Sequence, residues 1–364
     1  MVDYEIKIKE LEDEMRKTQY NKATEHHFGV IKAKIAKLRD LIEKKQASKK
    51  KGEGFAVKKS GDATVILLGF PSVGKSTLLN ALTGAKSEVG HYEFTTLDVI
   101  PGVLNYKHAK IQILDIPGII EGASKGRGRG REILSMLRSS NLIIILIDAL
   151  HPEHYEKIKK ELFDSNIRIN QEKPIVKIVK KPKGGLSVGS TIKQKLDRKT
   201  IEKILREMGL NNADVVIRTR IDIDQLIDSI EGNRAYVPSI TIITKADLLS
   251  EQELQKLSEQ LKPDLIISAE KEKNIVELKE VIFKKLKFIR VYLKEINKQP
   301  DMEVPLIVEK GTTIKDVCEK LHRGFVKRFR YARLWGPGSK FDGQVIKKMN
   351  KELQDEDILE IHLD

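Results

Sequence analysis

The segment Gly69-Phe70-Pro71-Ser72-Val73-Gly74-Lys75-Ser76 sets two glycines around four residues and follows them with a cation and a hydroxyl. Glycines let backbone N–H groups close around phosphate oxygens, and a helix beginning at the lysine turns its positive end to the same place. This is the G-x-x-x-x-G-K-[ST] spacing, so Lys75 is expected on the β- and γ-phosphates of a nucleoside triphosphate and Ser76 on its Mg²⁺. Gly69, Pro71, Ser72, Val73, Gly74 and Thr77 complete the phosphate turn.

A phosphate loop does not choose the base. Thr244-Lys245-Ala246-Asp247 follows an apolar run and resembles the guanine-reading N/T-K-x-D motif. Asp247 would accept hydrogen bonds from guanine N1 and N2, a pattern adenine cannot offer, while Lys245 lays its alkyl stem over the ring. Ser268-Ala269-Glu270, after the next apolar run, resembles the S-A-K/E loop whose backbone amide meets the guanine oxygen. Thr244 stands where asparagine is commoner, which bears on affinity more than on base identity.

Two further segments point at the γ-phosphate. Asp115-Ile116-Pro117-Gly118 has the D-x-x-G spacing, with a carboxylate reaching Mg²⁺ through water and the Gly118 amide sensing the phosphate. Phe94-Thr95-Thr96-Leu97 reads as a first switch, with Thr96 the metal-binding threonine and Thr95 the alternative. Ile119 occupies the place where many GTPases carry a water-orienting glutamine. Isoleucine cannot orient water, so slow turnover accelerated by a partner is expected, with Lys75, Thr96 and Gly118 as the catalytic set. K⁺ is an open second cation: Ser72 replaces the loop asparagine usual for that ion, and equal rates in potassium and sodium would dismiss it. The glycine- and arginine-rich stretch 121–131 follows, either a solvated switch loop or a contact for phosphate or a polyanion.

These groups need a scaffold. The run 63–69 is short, β-branched and apolar, as a buried parallel strand entering a glycine turn should be. Further strands are expected at 111–114, 142–147, 240–244 and 265–267, and a helix from Lys75. Strands alternating with helices imply a doubly wound, mostly parallel α/β domain. Between 151 and 237 a strand-like run at 175–179, a Gly184-Gly185 turn and a helix-like segment at 201–208 imply an inserted α+β domain, since structureless loops of that length are uncommon. After Pro300 a strand at 304–308, a helix at 313–321 and a strand at 358–361 outline a C-terminal module. The expected spans are 1–60 for an N-terminal helical region, 61–150 with 238–296 for the nucleotide domain, 151–237 for the insert and 300–364 for the last module.

The 364 residues carry a formal net charge of +14, which favours a polyanionic partner through counterion release. The excess is local: residues 1–25 hold 5 Lys/Arg against 7 Asp/Glu, residues 26–60 hold 11 against 3. Phe28, Ile31, Ile35, Leu38 and Ile42 place an apolar stripe on a basic helix there, able to pack on another domain or lie on a membrane surface. The lysines at 49–51 read equally as a solubilising linker or a polyanion contact. No apolar run reaches membrane-spanning length, and a single cysteine, Cys318, fits a reducing cytoplasm. Near the C-terminus Arg323, Lys327, Arg328, Arg330 and Arg333 interleave with Phe325, Phe329 and Tyr331, able to combine phosphate contact with base stacking or to supply core aromatics.

Gly69 to Thr77, the Phe94-Thr95-Thr96 switch, and the segments 115–121 and 122–123 resemble the Obg-related GTPases. The 21–27 segment (N-K-A-T-E-H-H), the 126–131 stretch and the insert before Thr244 narrow the resemblance to the developmentally regulated GTP-binding protein subfamily, over essentially the whole chain. It implies a P-loop GTPase domain with an N-terminal helical region, an insert like a ribosomal-protein fold, and a C-terminal TGS domain of β-grasp shape. It also implies a role around translation and the ribosome. The expected partners are GTP and GDP, the ribosome or rRNA or tRNA, and a regulatory protein activator, with the chain expected to be a monomer. A GTP-dependent RNA- or protein-binding module with negligible turnover is the alternative, kept open by Ile119.

Overall fold

Every residue of Ala63–Leu68, Leu142–Asp148 and Ser239–Thr244 is buried, as parallel strands covered on both faces require. In the computed structural model, which describes residues 2–47, 61–84, 100–116 and 130–364, these strands form the middle of a six-stranded sheet. Its order is Leu265–Ile266, Ser239–Thr244, Leu142–Asp148, Ala63–Leu68, Ala109–Asp115, Ile100–Tyr106. Neighbours are parallel except at the last edge, where Ile100–Tyr106 pairs antiparallel with Ala109–Asp115. Alternate residues face opposite layers. Val65 and Leu67 join Leu78, Leu79 and Leu278 from helices Lys75–Thr83 and Ile275–Lys285, while Ile243 packs with Leu257 of helix Glu251–Leu261 on the other side. This is the doubly wound arrangement, and it brings the carboxyl ends of the parallel strands to one edge.

The C-terminal sheet has five strands in the order Leu306–Glu309, Phe288–Leu293, Asp357–Leu363, Phe329–Trp335, Gln344–Ile346. Helix Ile314–Leu321 lays Ile314, Val317 and Cys318 on one face of it. The start of that helix is set by a reciprocal cap between Thr313 and Asp316. The structure differs from the expected span here: Phe288–Leu293, within 238–296, pairs with strands on both sides in the C-terminal sheet. Its Ile289 and Val291 belong to that module's core. The apolar alternation of this strand marks a half-buried strand but not the sheet it enters.

The chain divides into two compact units, Met1–Gly54 with Gln171–Tyr236, and Phe55–Asn170 with Val237–Asp364. Both sheets above belong to the second. The first contains helices Val2–Lys17 and Glu25–Ala47, a three-stranded sheet ordered Val176–Lys180, Ala213–Ile217, Leu186–Ser190, and helices Arg198–Glu207 and Ile223–Glu231. Phe28 and Ala33 share a core with Ile204, Leu205, Val215 and Leu226. Contact is close enough that a Cβ at Gly29 would lie 2.9 Å from Ile204 Cδ1. The basic helix therefore packs on the insert through Phe28 and Ala33, and Phe28, Ile31 and Ile35 of its stripe are buried. The insert begins at 171 rather than 151, because helix His154–Asp164 buries Ile158 and Leu162 within the other unit. Among the described residues no helix is long and apolar enough to cross a membrane. The lysines at 49–51 lie outside the described residues.

Candidate nucleotide-binding site

The phosphate loop is shaped by its glycines. A Cβ on Gly69 would stand 2.8 Å from Val73 Cγ1 and 2.9 Å from the Leu146 carbonyl oxygen, so only glycine fits where the strand ends. Gly74 takes φ +94° immediately before helix Lys75–Thr83, a region that costs other residues strain. Lys75 is buried, and its Nζ donates to the carbonyl oxygens of Gly69 and Phe70 at 3.2 and 3.1 Å. Burial pushes its pKa below the ordinary lysine value, against the opposing pull of the Asp115 carboxylate. Ser76 Oγ donates to Asp115 Oδ2 at 2.7 Å, joining the phosphate loop to the D-x-x-G segment. A hydroxyl and a carboxylate held together are hard oxygen donors, the chemistry Mg²⁺ selects. Among the described residues no group of three His, Cys, Asp or Glu could hold a metal by itself. A cation here would draw its remaining ligands from water and phosphate.

The T-K-x-D segment is tied to the 69–76 loop through one side chain. Thr244 Oγ1 lies 2.8 Å from the Val73 carbonyl oxygen and 3.2 Å from that of Ile147. Lys245 follows in the left-handed region at φ +56°, and its Nζ donates to Asp148 Oδ2 at 2.6 Å. Asp148 also accepts the Leu150 N–H at 3.0 Å. Burial raises the Asp148 pKa, but its bonds to Lys245 and Leu150 outweigh that and hold it below the usual carboxylate range. Asp247 is held low as well, first because the Ser268 side chain donates to it. Ser268 is itself buried, and Ala246 N–H donates to the Ile267 carbonyl at 3.3 Å. The T-K-x-D and S-A-E segments therefore form one braced surface.

The structure brings Gly69 to Ser76, Asp115, Thr244, Lys245, Asp247 and the 268–270 loop to the carboxyl edge of the parallel strands, where ligands of open α/β sheets bind. Thr95, Thr96, Gly118, Ile119 and the stretch 121–129 lie outside the described residues. Two groups escaped the sequence reading. Asp148 closes an apolar strand at the site edge, but its partner Lys245 lies 97 residues away in the sequence. His154 had no such signal: its ring stacks on Phe70 of the phosphate loop, centroids 3.9 Å apart and planes 16° from parallel, with His151 a further 5.3 Å away. In the C-terminal module Phe325 and Phe329 pack against the core, and Tyr331 stacks on His362 at 4.2 Å. Arg328 Nε donates to the Asp364 carbonyl oxygen at 2.8 Å. That aromatic set serves packing first.

Residues 64–181 match the family model described as 50S ribosome-binding GTPase, residues 183–288 the C-terminal region of the MMR_HSR1 domain, and residues 289–363 the TGS domain. The chain is 51% identical to an uncharacterized GTP-binding protein of Methanocaldococcus jannaschii, over 98% of this chain and 92% of that one. It is 47% identical to developmentally-regulated G-protein 3 of Arabidopsis thaliana, over 98% and 97% of the two chains. With developmentally-regulated GTP-binding protein 1 homolog of Dictyostelium discoideum it shares 47% identity over 98% of both.

Proposed function

This chain belongs to the developmentally regulated GTP-binding protein family of Obg-related GTPases, and we propose that it is a Mg²⁺-dependent GTPase, slow by itself, that acts as a ribosome-associated switch in translation. The observation that carries the reading is the bridge from Thr244 Oγ1 to the Val73 carbonyl at 2.8 Å, which locks a guanine-type loop to a triphosphate loop. In this reading Lys75 leaves its carbonyl partners for the β- and γ-phosphates. Its burial makes that exchange favourable, since a desolvated ammonium gains most from a fixed anion. Asp247, kept ionised by Ser268, receives the guanine N1 and N2 hydrogens, and the Ala269 amide meets the guanine oxygen. Lys245, anchored at its end by Asp148, presents its methylene stem to the ring.

Ser76 and Asp115, with Thr96 from the first switch, would hold Mg²⁺. When bound, the ion neutralises charge developing on the phosphate oxygens. The residues at hand bind and orient, and position 119 holds isoleucine in place of a water-orienting glutamine. Ile119 therefore supports a reaction completed by a partner, and it equally supports the second reading, a GTP-dependent binding module with negligible turnover. The ribosome enters through the description of the family model that matches 64–181 and through the net charge of +14.

Steady-state GTP hydrolysis with and without ribosomes tests both readings, alongside co-sedimentation in GTP-like and GDP states. Acceleration by ribosomes and a nucleotide-dependent difference in binding are expected. Absence of binding in both states overturns the translation role, and a rate near zero in every mixture favours the binding module.

A further inference from the structure

The insert's small sheet is covered on one face only. Ala213, Val215 and Ile217 enter the core with Ile204 and Leu226, so Asp214 and Val216 project to the opposite side. Strand register then sets out that second face. Lys177 and Gly189 flank Val216 in one row, and Val179 and Ser187 flank Asp214 in the next. Lys177, Val179, Ser187 and Gly189 are all exposed. The only acid on the face, Asp214, is paired with Lys181 at 2.5 Å.

Charge gathers around this bare face. Residues 171–195 contain 7 lysines against 1 acid. Lys173, Lys177, Lys180, Lys183, Arg218 and Arg220 are exposed, and none forms an ion pair with a described carboxylate. At one end Lys173, Lys177 and Arg218 surround Pro174, Ile175 and Val176 in a shallow pocket of about 510 Å³, with Ile175 56% exposed. Gly189 is the telling position. Its φ is not left-handed, and nothing lies within 4 Å of where a Cβ would be. Neither backbone nor packing asks for glycine there, but an object lying flat on the sheet would.

We infer that this face docks the sugar-phosphate backbone of an A-form RNA duplex. The inference deepens the translation reading and rests on it for the source of that RNA. The absence of rings favours a duplex over single strands: residues 171–220 contain no Phe, Tyr, Trp or His, and sequence-tolerant single-strand binding relies on stacking. Three strands about 4.8 Å apart make a platform roughly 10 Å across. A flat platform of that width lies on the wide, shallow minor groove of A-form RNA; it is too wide for the roughly 6 Å minor groove of B-DNA, and the deep B-DNA major groove takes a helix or a two-stranded ribbon rather than a three-stranded face. Ser187 supplies a hydroxyl within reach of 2′-OH groups, and the flanking cations meet phosphates.

The test uses the full chain, fluorescence anisotropy and four probes: a 20-bp RNA duplex, the same sequence as DNA, one RNA strand, and anionic vesicles. The RNA duplex should bind best. K173E/K177E/R218E should weaken it at least tenfold, and K173Q/K177Q/R218Q should lower the salt slope by up to about 3, near 0.9 per phosphate contact. G189Q keeps every cation but stands a side chain on the face, and it should weaken the RNA duplex selectively. GDP affinity and melting temperature report that each variant is folded. Unchanged duplex binding in all three variants overturns the assignment, as does equal or tighter binding of DNA, single-stranded RNA or vesicles by the unaltered chain. Ribosome co-sedimentation separates the two failures. If the unaltered chain sediments and the charge-reversed one sediments equally, this face is wrong and the translation reading stands; if the unaltered chain does not sediment, the translation reading fails.

Discussion

Removing the Asp148 carboxylate should weaken guanine nucleotides without touching the chemistry of the phosphates. Asp148 and Lys245 meet at 2.6 Å with side chains 11% and 34% exposed, so the pair is drier on the acid side. A hydrogen bond between charged groups contributes roughly 1.5–3 kcal/mol when shielded from water. Exposure of a third of the lysine reduces the expectation for D148A to about 1–1.5 kcal/mol, or roughly five- to fifteenfold in Kd. If Lys245 serves the base as proposed, GDP and GTP should lose affinity equally, KM should rise, and kcat should stay within about twofold. D148N keeps an acceptor of the same shape and should fall between the two. Titration of a fluorescent GDP analogue, with a thermal melt on the same samples, measures this. A wild-type GDP affinity in D148A, or a loss confined to GTP, would refute the idea that Asp148 acts by holding Lys245. Since the folded carboxyl is held below its ordinary value, the pair's contribution is present above the ordinary aspartate pKa near 4 and disappears as pH falls through the folded value.

T244V removes the hydroxyl shared between Val73 and Ile147 and should cost about 1 kcal/mol of nucleotide affinity. T244S should restore it, and equal Kd values for all three would discard the bridge. G69A forces a methyl within 3 Å of Val73 and the Leu146 carbonyl; an overpacking cost of about 1–3 kcal/mol should appear as a roughly five- to 150-fold loss of GTP binding, read by the same titration. Glu231 lies buried among Arg234 and Asp228, and burial raises its pKa above the ordinary glutamate value. Its stabilising, protonated form is complete below that ordinary value and is lost as pH rises through the folded one. Glu231 is also paired with Arg234, so linkage fixes only the trend: the urea midpoint of E231Q minus that of the native chain should be higher at pH 8 than near pH 4. A difference that is higher near pH 4 would contradict the burial argument.

Much of the nucleotide domain is legible in the sequence because its rules are local. The apolar runs at 63–68, 142–148 and 239–244 can only be strands covered on both sides, and Gly69 and Gly74 sit where the backbone demands them. The edge strand Ile100–Tyr106 escapes because its burial is broken by exposed Ile100, Val103 and Asn105. Domain allegiance escapes for a different reason. The helix Glu25–Ala47 shows its stripe in the sequence, but the partner of that stripe, the core containing Ile204 and Leu226, lies about two hundred residues away. The same limit hid Asp148, whose role exists only once the strand Leu142–Asp148 is laid beside Ser239–Thr244 and Thr244 stands opposite it.

The register between those two strands also explains why threonine suffices at 244. An asparagine there carries two N–H donors, enough for two separate acceptors, whereas a hydroxyl carries one hydrogen for the Val73 and Ile147 carbonyls together. The shorter bond, to Val73, is the one that fixes the phosphate loop, and the strand pairing already holds Ile147 against Ile243. The lost donor is therefore the one the sheet can spare. In the proposed reading base identity depends instead on Asp247, which the Ser268 hydroxyl supports and which the substitution leaves in place. On this reasoning T244N gains at most about 1 kcal/mol in GDP affinity and leaves the ratio of guanine to adenine nucleotide affinity unchanged. A shift in that ratio would show that Thr244 takes part in reading the base.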